Sequence, residues 1–250
     1  MAELTLADLV AWEPRLRVAA DNGLGEGSLR PGGALDRWAE RELTWVVTAR
    51  ASAPMLPLLR GGELVILPAR VLAESGASLP LLLHELSSHD VSGVVLDARS
   101  PPPSPIPALL IDAMTPELEN ELNRLLTQQR GEIYRTGTEL GLRLATLTTA
   151  GGELTEVLVA AEGFLDAGAG VVDARGSVIA ASRPEAVPTA SGGTPVGLAG
   201  AHGWWGDHLA IPLAGGETLW LGPIGRERRA HVRVAGERLA VAAEAALTRA

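Results

Sequence analysis

The residues with the densest chemistry lie together at His202-Gly203-Trp204-Trp205-Gly206-Asp207-His208, just ahead of an apolar run. Two of the six Trp and two of the five His meet a carboxylate there, in a chain where aromatic residues make up only 3%. One reading is a pocket wall. The indole faces of Trp204 and Trp205 would receive a planar or apolar ligand, and Asp207 and His208 would supply polar contacts. The other reading is structural, with one Trp plugging a sheet edge and the other covering a helix.

Other candidate chemistries fail on residue type or spacing. The 21 basic side chains are all Arg, so no Lys is present for a Schiff base or a phosphate loop. No Cys is present, which removes disulfides, thiolate nucleophiles and zinc ribbons. His84 and His89 flank a Glu in a zinc-protease-like string, but five positions put them about 140° apart around a helix, where ligation wants the i, i+4 pair. They are expected to be ordinary helix-end residues. Gly23, Gly25 and Gly27 suggest a dinucleotide fingerprint, yet Pro31-Gly32-Gly33 stands where the phosphate-binding helix should begin. No Gly-x-Ser-x-Gly elbow occurs. The expectation is therefore no catalytic residue, no metal ligand set and no cofactor.

A net charge of −9 disfavours direct binding to nucleic acid, which draws its affinity from Lys and Arg on phosphates. The one basic cluster, Arg226, Arg228, Arg229, Arg233 and Arg238, is interleaved with Glu227 and Glu237. A solvated helix face explains it, and contact with an acidic partner is the alternative. The first residues carry Glu3 and Asp8 and no basic side chain, unlike a signal peptide. No run approaches the ~18 apolar residues of a membrane span. A cytoplasmic protein with no membrane partner is expected.

The elements that would position these residues follow from periodicity. Thr5 can cap a short helix, and 16–20 is a possible strand. Strands are predicted at 43–49, 64–67 and 91–96, with a turn at Gly61-Gly62 and a helix at 79–86, giving a mostly parallel α/β arrangement. Five Pro within 100–107 make a rigid loop. From Pro116 a helical pattern runs to Leu147, with Leu126, Ile133, Leu140 and Leu147 at heptad spacing. Those four motivate a homodimer, with packing onto the chain's own domains as the competing explanation. Gly131, Gly137 and Gly141 each cost about 1 kcal/mol relative to Ala and predict a break or kink between 131 and 141.

A helix at 153–165 follows. Strands at 169–173 and 177–181, then 208–213 and 218–221, are joined by connections of hairpin length containing Gly. They predict an antiparallel sheet flanked by helices, closing with a long amphipathic helix at 226–248 whose apolar positions include Val232, Leu239, Val241 and Leu247.

The order of these pieces resembles the regulatory part of the PucR-type transcriptional regulators, named for purine catabolism. The resemblance is carried by Leu35-Asp36-Arg37 ahead of Leu43-Thr44-Trp45-Val46-Val47, by Leu59-Arg60-Gly61-Gly62-Glu63-Leu64-Val65-Ile66-Leu67, and by His84-Glu85-Leu86 leading into Val91-Ser92-Gly93-Val94-Val95-Leu96. Ile106-Pro107, the connector-like Ile133-Tyr134-Arg135-Thr136-Gly137-Thr138-Glu139-Leu140, and the hairpin-like run from Ala169-Gly170-Val171-Val172-Asp173 to Gly176-Ser177-Val178-Ile179-Ala180 complete it. Two segments depart from the family pattern. The region after Leu96 lacks room for both the usual helix and a further strand, and 21–33 reads as an insertion.

The resemblance implies an N-terminal α/β regulatory domain at 1–115, a helical connector at 116–148, and an α+β GAF-like sensory domain with an antiparallel sheet at 149–250. It further implies binding of a small-molecule effector, a homodimer, and DNA contact only through a C-terminal helix-turn-helix that these residues do not contain. Two other functions fit the residues: a small hydrolase-like enzyme using 202–208, and a stand-alone protein-interaction module working through the Arg-rich terminal helix.

Overall fold

The computed structural model describes residues 4–19, 41–97, 103–188 and 203–249. The Gly23, Gly25, Gly27 loop, Leu35-Asp36-Arg37, His202 and the start of the Pro-rich loop lie outside them. The fold is mixed α/β, with six α-helices and two five-stranded sheets among the described residues. The chain divides into two units between Arg130 and Gly131, inside the helix expected to serve as a connector.

In the first unit, the Val, Ile and Leu runs 63–67 and 93–96 become inner strands buried on both faces, as the interior of a parallel sheet requires. The strands are β1 (Arg17–Val18), β2 (Trp45–Thr48), β3 (Glu63–Leu67), β4 (Gly93–Leu96) and β5 (Ala108–Leu110), in spatial order β1-β5-β4-β3-β2. The last four are mutually parallel, and β1 joins β5 antiparallel. The mostly parallel sheet is therefore present. The turn before β3 uses Gly61 and Gly62 at φ 100 and 78, values that favour residues without a Cβ.

Helix α1 (Leu6–Trp12) has Thr5 as N-cap in a capping box with Asp8. The crossover from β3 to β4 holds two helices, α2 (Ala69–Ser75) and α3 (Leu79–Ser87), where the periodicity showed only the second. At seven residues α2 is too short for a clear period, and its signals are Pro68 before it and Gly76, at φ 64, after it. His84 lies in the last turn of α3, and His89 follows the helix end. Between β4 and β5 the described residues hold no helix.

Helix α4 (Leu118–Thr149) is continuous through Gly131, Gly137 and Gly141, so the predicted break does not occur. Only at Gly137 does glycine ease the approach of α6 (Arg229–Leu247), since a Cβ there would lie 3.3 Å from Val234; at Gly141 it would meet Arg238 in ordinary contact at 3.9 Å, and at Gly131 nothing lies within 4 Å. The heptad residues Leu126, Ile133 and Leu140 are each at most 1% exposed. These three pack within the chain, and Leu147, the fourth, is half-buried.

In the first unit α4 also seals the sheet. Strand β2 is an edge, and Asn123 on α4 closes it by accepting from the Val46 N–H (2.9 Å) and donating to the Val46 carbonyl (2.8 Å). One helical turn-pair later, Arg130 donates to the carbonyls of Leu43 and Thr44. The edge is thus unavailable for pairing with another strand.

Arg15 ties α1 to α4. It grips Glu13 through two nitrogens, each at 2.9 Å, and reaches Glu121 at 2.8 Å. That hydrogen bonding holds the Glu13 carboxyl below its usual range despite its burial. A carboxylate with a lowered folded pKa adds stability that is present above its unfolded value and lost as pH falls through the folded one. The contribution should therefore disappear in acid, below about pH 4. Since the Arg15 side chain is 47% exposed, the effect is expected to stay within about 1 kcal/mol. Urea midpoints measured from neutral to acid pH should show a shallower acid decline in Arg15→Met than in the wild type. Parallel declines would remove the assignment.

The second unit is built on β6 (Gly168–Val172), β7 (Val178–Ala181), β8 (Gly203–Trp205), β9 (His208–Pro212) and β10 (Thr218–Gly222), all antiparallel in order β7-β6-β10-β9-β8. One face carries Ala169, Val171, Leu209, Ile211, Leu219 and Leu221. It packs with Leu140 and Leu144 of α4, Val157, Leu158 and Ala161 of α5 (Leu154–Leu165), and Val232 and Leu239 of α6. The terminal helix starts later than expected, at Arg229 after a 3-10 turn, Arg226–Arg228. Val241 on that helix is 68% exposed, so it belongs to the outer side and not to the predicted apolar stripe.

Candidate functional site

The dense aromatic stretch folds as a tight hairpin. Trp205 of β8 pairs with His208 of β9 across the two-residue loop Gly206-Asp207. Gly206 has φ 61, matching the glycine a type II′ turn places first. Alternation along β8 sends its two indoles to opposite faces of the sheet. Trp204 packs onto the helix-covered core, where the Arg229 guanidinium lies 4.5 Å above its ring centroid. Such a contact contributes roughly 0.5–1 kcal/mol at a partly exposed site. Arg229 also donates to the Gly206 carbonyl.

Trp205 goes the other way, onto Val172, Val187, Ala210 and Trp220. The structure therefore brings Trp205 and His208 to one face and puts Trp204 on the other, so the two indoles do not share a wall. Asp207 sits in the turn with a side chain 62% exposed.

Among the described residues, the face carrying Trp205 is the one not covered by α-helices. Register places Gly170, Trp220, Ala210 and Gly203 in a row across it, with Gly168, Gly222, His208 and Trp205 in the next. The small residues leave room above the sheet, and residues 183–187 fill part of it. A Cβ on Gly170 would stand 2.6 Å from Val187, and one on Gly168 2.8 Å from both Ala186 and Arg183. His208 lies across Gly222, where a Cβ would meet its ring at 2.3 Å. The imidazole reaches Asp207 Oδ1 with Nδ1 (2.7 Å) and the Glu185 carbonyl with Nε2 (2.9 Å).

Trp220 is the residue that sequence reasoning missed. It is fully buried in the central strand, and its Nε1–H has no acceptor among the described residues. An enclosed donor without a partner costs about 1–3 kcal/mol, which a ligand or water oxygen would recover. The available signal was the alternation Thr218, Trp220, Gly222 against Leu219, Leu221, which sets this indole apart from the apolar face.

The basic cluster is partly spent inside the unit, since Arg229 covers Trp204 and Arg228 donates to Asp166 at 3.3 Å. In the first unit, Arg41, Glu42, Arg60, Asp90 and Ser92 line a cleft of about 240 Å3. The Glu63 carboxylate takes the backbone amides of Arg60 and Gly61, and Arg41 donates to the Val91 carbonyl, so the cleft presents no backbone nest for an anion. Among the described residues no three His, Asp or Glu side chains converge as a metal site, and no helix is long and apolar enough to cross a membrane.

No protein-family profile matches the chain, and no curated protein matches it in sequence.

Proposed function

We propose that these residues are the ligand-sensing regulatory portion of a PucR-type transcriptional regulator. The second unit would act as a GAF-like sensor for a small-molecule effector, and the signal would pass to a DNA-binding helix-turn-helix outside these 250 residues. Three features support the reading: a mostly parallel α/β unit first, a helix running from it into the second unit, and an antiparallel sheet with helices on one face. The acidic balance fits a part that does not itself hold DNA. Such a regulator would be cytoplasmic and, in this reading, a homodimer. Since Leu126, Ile133 and Leu140 are buried, self-association would use exposed side chains such as Leu142 and Val241.

The observation that carries the sensing role is the buried Trp220 N–H, without an acceptor among the described residues, on the sheet face where those residues place no α-helix. It favours an effector that combines a flat apolar body with a carbonyl or ring-nitrogen acceptor. By binding one arrangement of this face better than another, such a molecule shifts the population between them.

A thermal-stabilisation screen of planar, acceptor-bearing metabolites tests this. A hit should stabilise the wild type saturably, and Trp220→Phe, which keeps an aromatic ring and removes the donor, should weaken it roughly tenfold, the worth of one net hydrogen bond. Equal affinity in both proteins would remove Trp220 from recognition, and turnover of the hit would favour an enzyme.

A further inference from the structure

We propose that His208 is a proton-dependent latch holding residues 183–187 on the open face of the second sheet. Both of its ring nitrogens face acceptors, the Asp207 carboxylate at 2.7 Å and the Glu185 backbone carbonyl at 2.9 Å. A neutral imidazole carries one N–H and one lone pair, and neither acceptor can donate in return. The two contacts are therefore hydrogen bonds together only when His208 is the imidazolium. Once the proton leaves, one bond must be given up and a lone pair faces an oxygen. Asp207 is bonded through a carboxylate in the same turn, so the distant contact, to Glu185, is the one released.

The surroundings make that release consequential. Glu185 belongs to the 3-10 turn Pro184–Ala186, which neighbours Ala186 and Val187 packed over Gly168 and Gly170. The His208 side chain is 12% exposed, so a proton can reach it while its ring stays fixed against Gly222. Charged groups of the described residues face it from two sides. From the 183–187 side come the Glu185 carboxylate and Arg183, which lie 3.7 Å apart, and Arg183 is also 3.5 Å from Glu162 of α5. From α6 comes Arg229, held on Trp204 and the Gly206 carbonyl. Strand β10 presents Gly222 and Trp220 to the ring and no titratable group. The latch is a property of the hairpin and stands whether or not the face binds a metabolite.

The sign follows from the donors. The bridge is complete while His208 is charged and opens as pH rises and the ring is neutralised. Hydrogen exchange at the Ala186 amide, corrected for the intrinsic pH dependence of exchange, should lose roughly tenfold protection in the full chain as the ring loses its proton. His208→Gln supplies an uncharged donor at every pH, and its protection should be flat. His208→Phe supplies none and should be flat at the open level. A pH profile shared by the wild type and His208→Gln, or a flat wild type, overturns the latch.

If both variants fail to fold, 15N-labelled imidazole resonances of the wild-type protein decide. Both ring nitrogens should be protonated at the acid end, and the amides of Ala186 and Val187 should shift with the same midpoint as the ring. Amides that do not move with the ring overturn the proposal.

Discussion

Replacing Asn123 with Ala is expected to destabilise the first unit by about 2–4 kcal/mol, because it leaves two buried backbone groups without partners. The Asn123 amide mimics a neighbouring strand. Its oxygen takes the Val46 N–H and its nitrogen supplies the Val46 carbonyl, at 2.9 and 2.8 Å. Val46 is 0% exposed and Asn123 7%, so water does not replace the lost bonds. Asn123→Asp separates the two halves of the interaction. It keeps an acceptor for the N–H but turns a carboxylate oxygen towards the carbonyl, and its loss should equal or exceed that of Ala at neutral pH. Denaturant midpoints at constant slope measure both. An Ala variant within about 0.5 kcal/mol of the wild type would show that the helix does not close this edge.

This contact also marks where the sequence stops being legible. Strands β3 and β4 were readable because apolar runs bounded by Gly are needed on both faces of a parallel sheet, and the hairpins of the second unit because short Gly-containing connections join their strands. Those signals are local. Asn123 looked like any polar residue on a helix, and its role appears only through a partner 77 positions away.

Alternation within β10 sets Trp220 apart from Leu219 and Leu221, but which residues surround it is decided by pairing with β6 and β9. Strand β8 was missed for a different reason. Gly203-Trp204-Trp205 has the composition of a ligand-contacting loop, and its alternation is only three residues long. Those three residues decide the candidate site, because they place Trp204 under Arg229 and Trp205 beside Trp220. What the residue types suggested as one wall is two separate contacts, one on each side of the sheet.

The glycines of α4 and β6 allow the crowding of the open face to be tested with one methyl group. Gly168→Ala is expected to destabilise the second unit by about 1–3 kcal/mol, as overpacking does where neighbours cannot move aside. The added Cβ would stand 2.8 Å from the Ala186 Cβ and 2.9 Å from the Gly222 carbonyl oxygen, neither of which can rotate away. Either residues 183–187 leave the sheet, or the pairing of Gly168 with Gly222 opens.

Gly131→Ala adds the same methyl to the exposed interior of α4, with no atom within 4 Å of it. It should stabilise by about 1 kcal/mol through helix propensity alone. Opposite signs from the same chemical change isolate space as the cause. If Gly168→Ala unfolded at the wild-type midpoint while Gly131→Ala gained stability as expected, residues 183–187 would not be seated on β6, and the face holding Trp220 would be open to solvent.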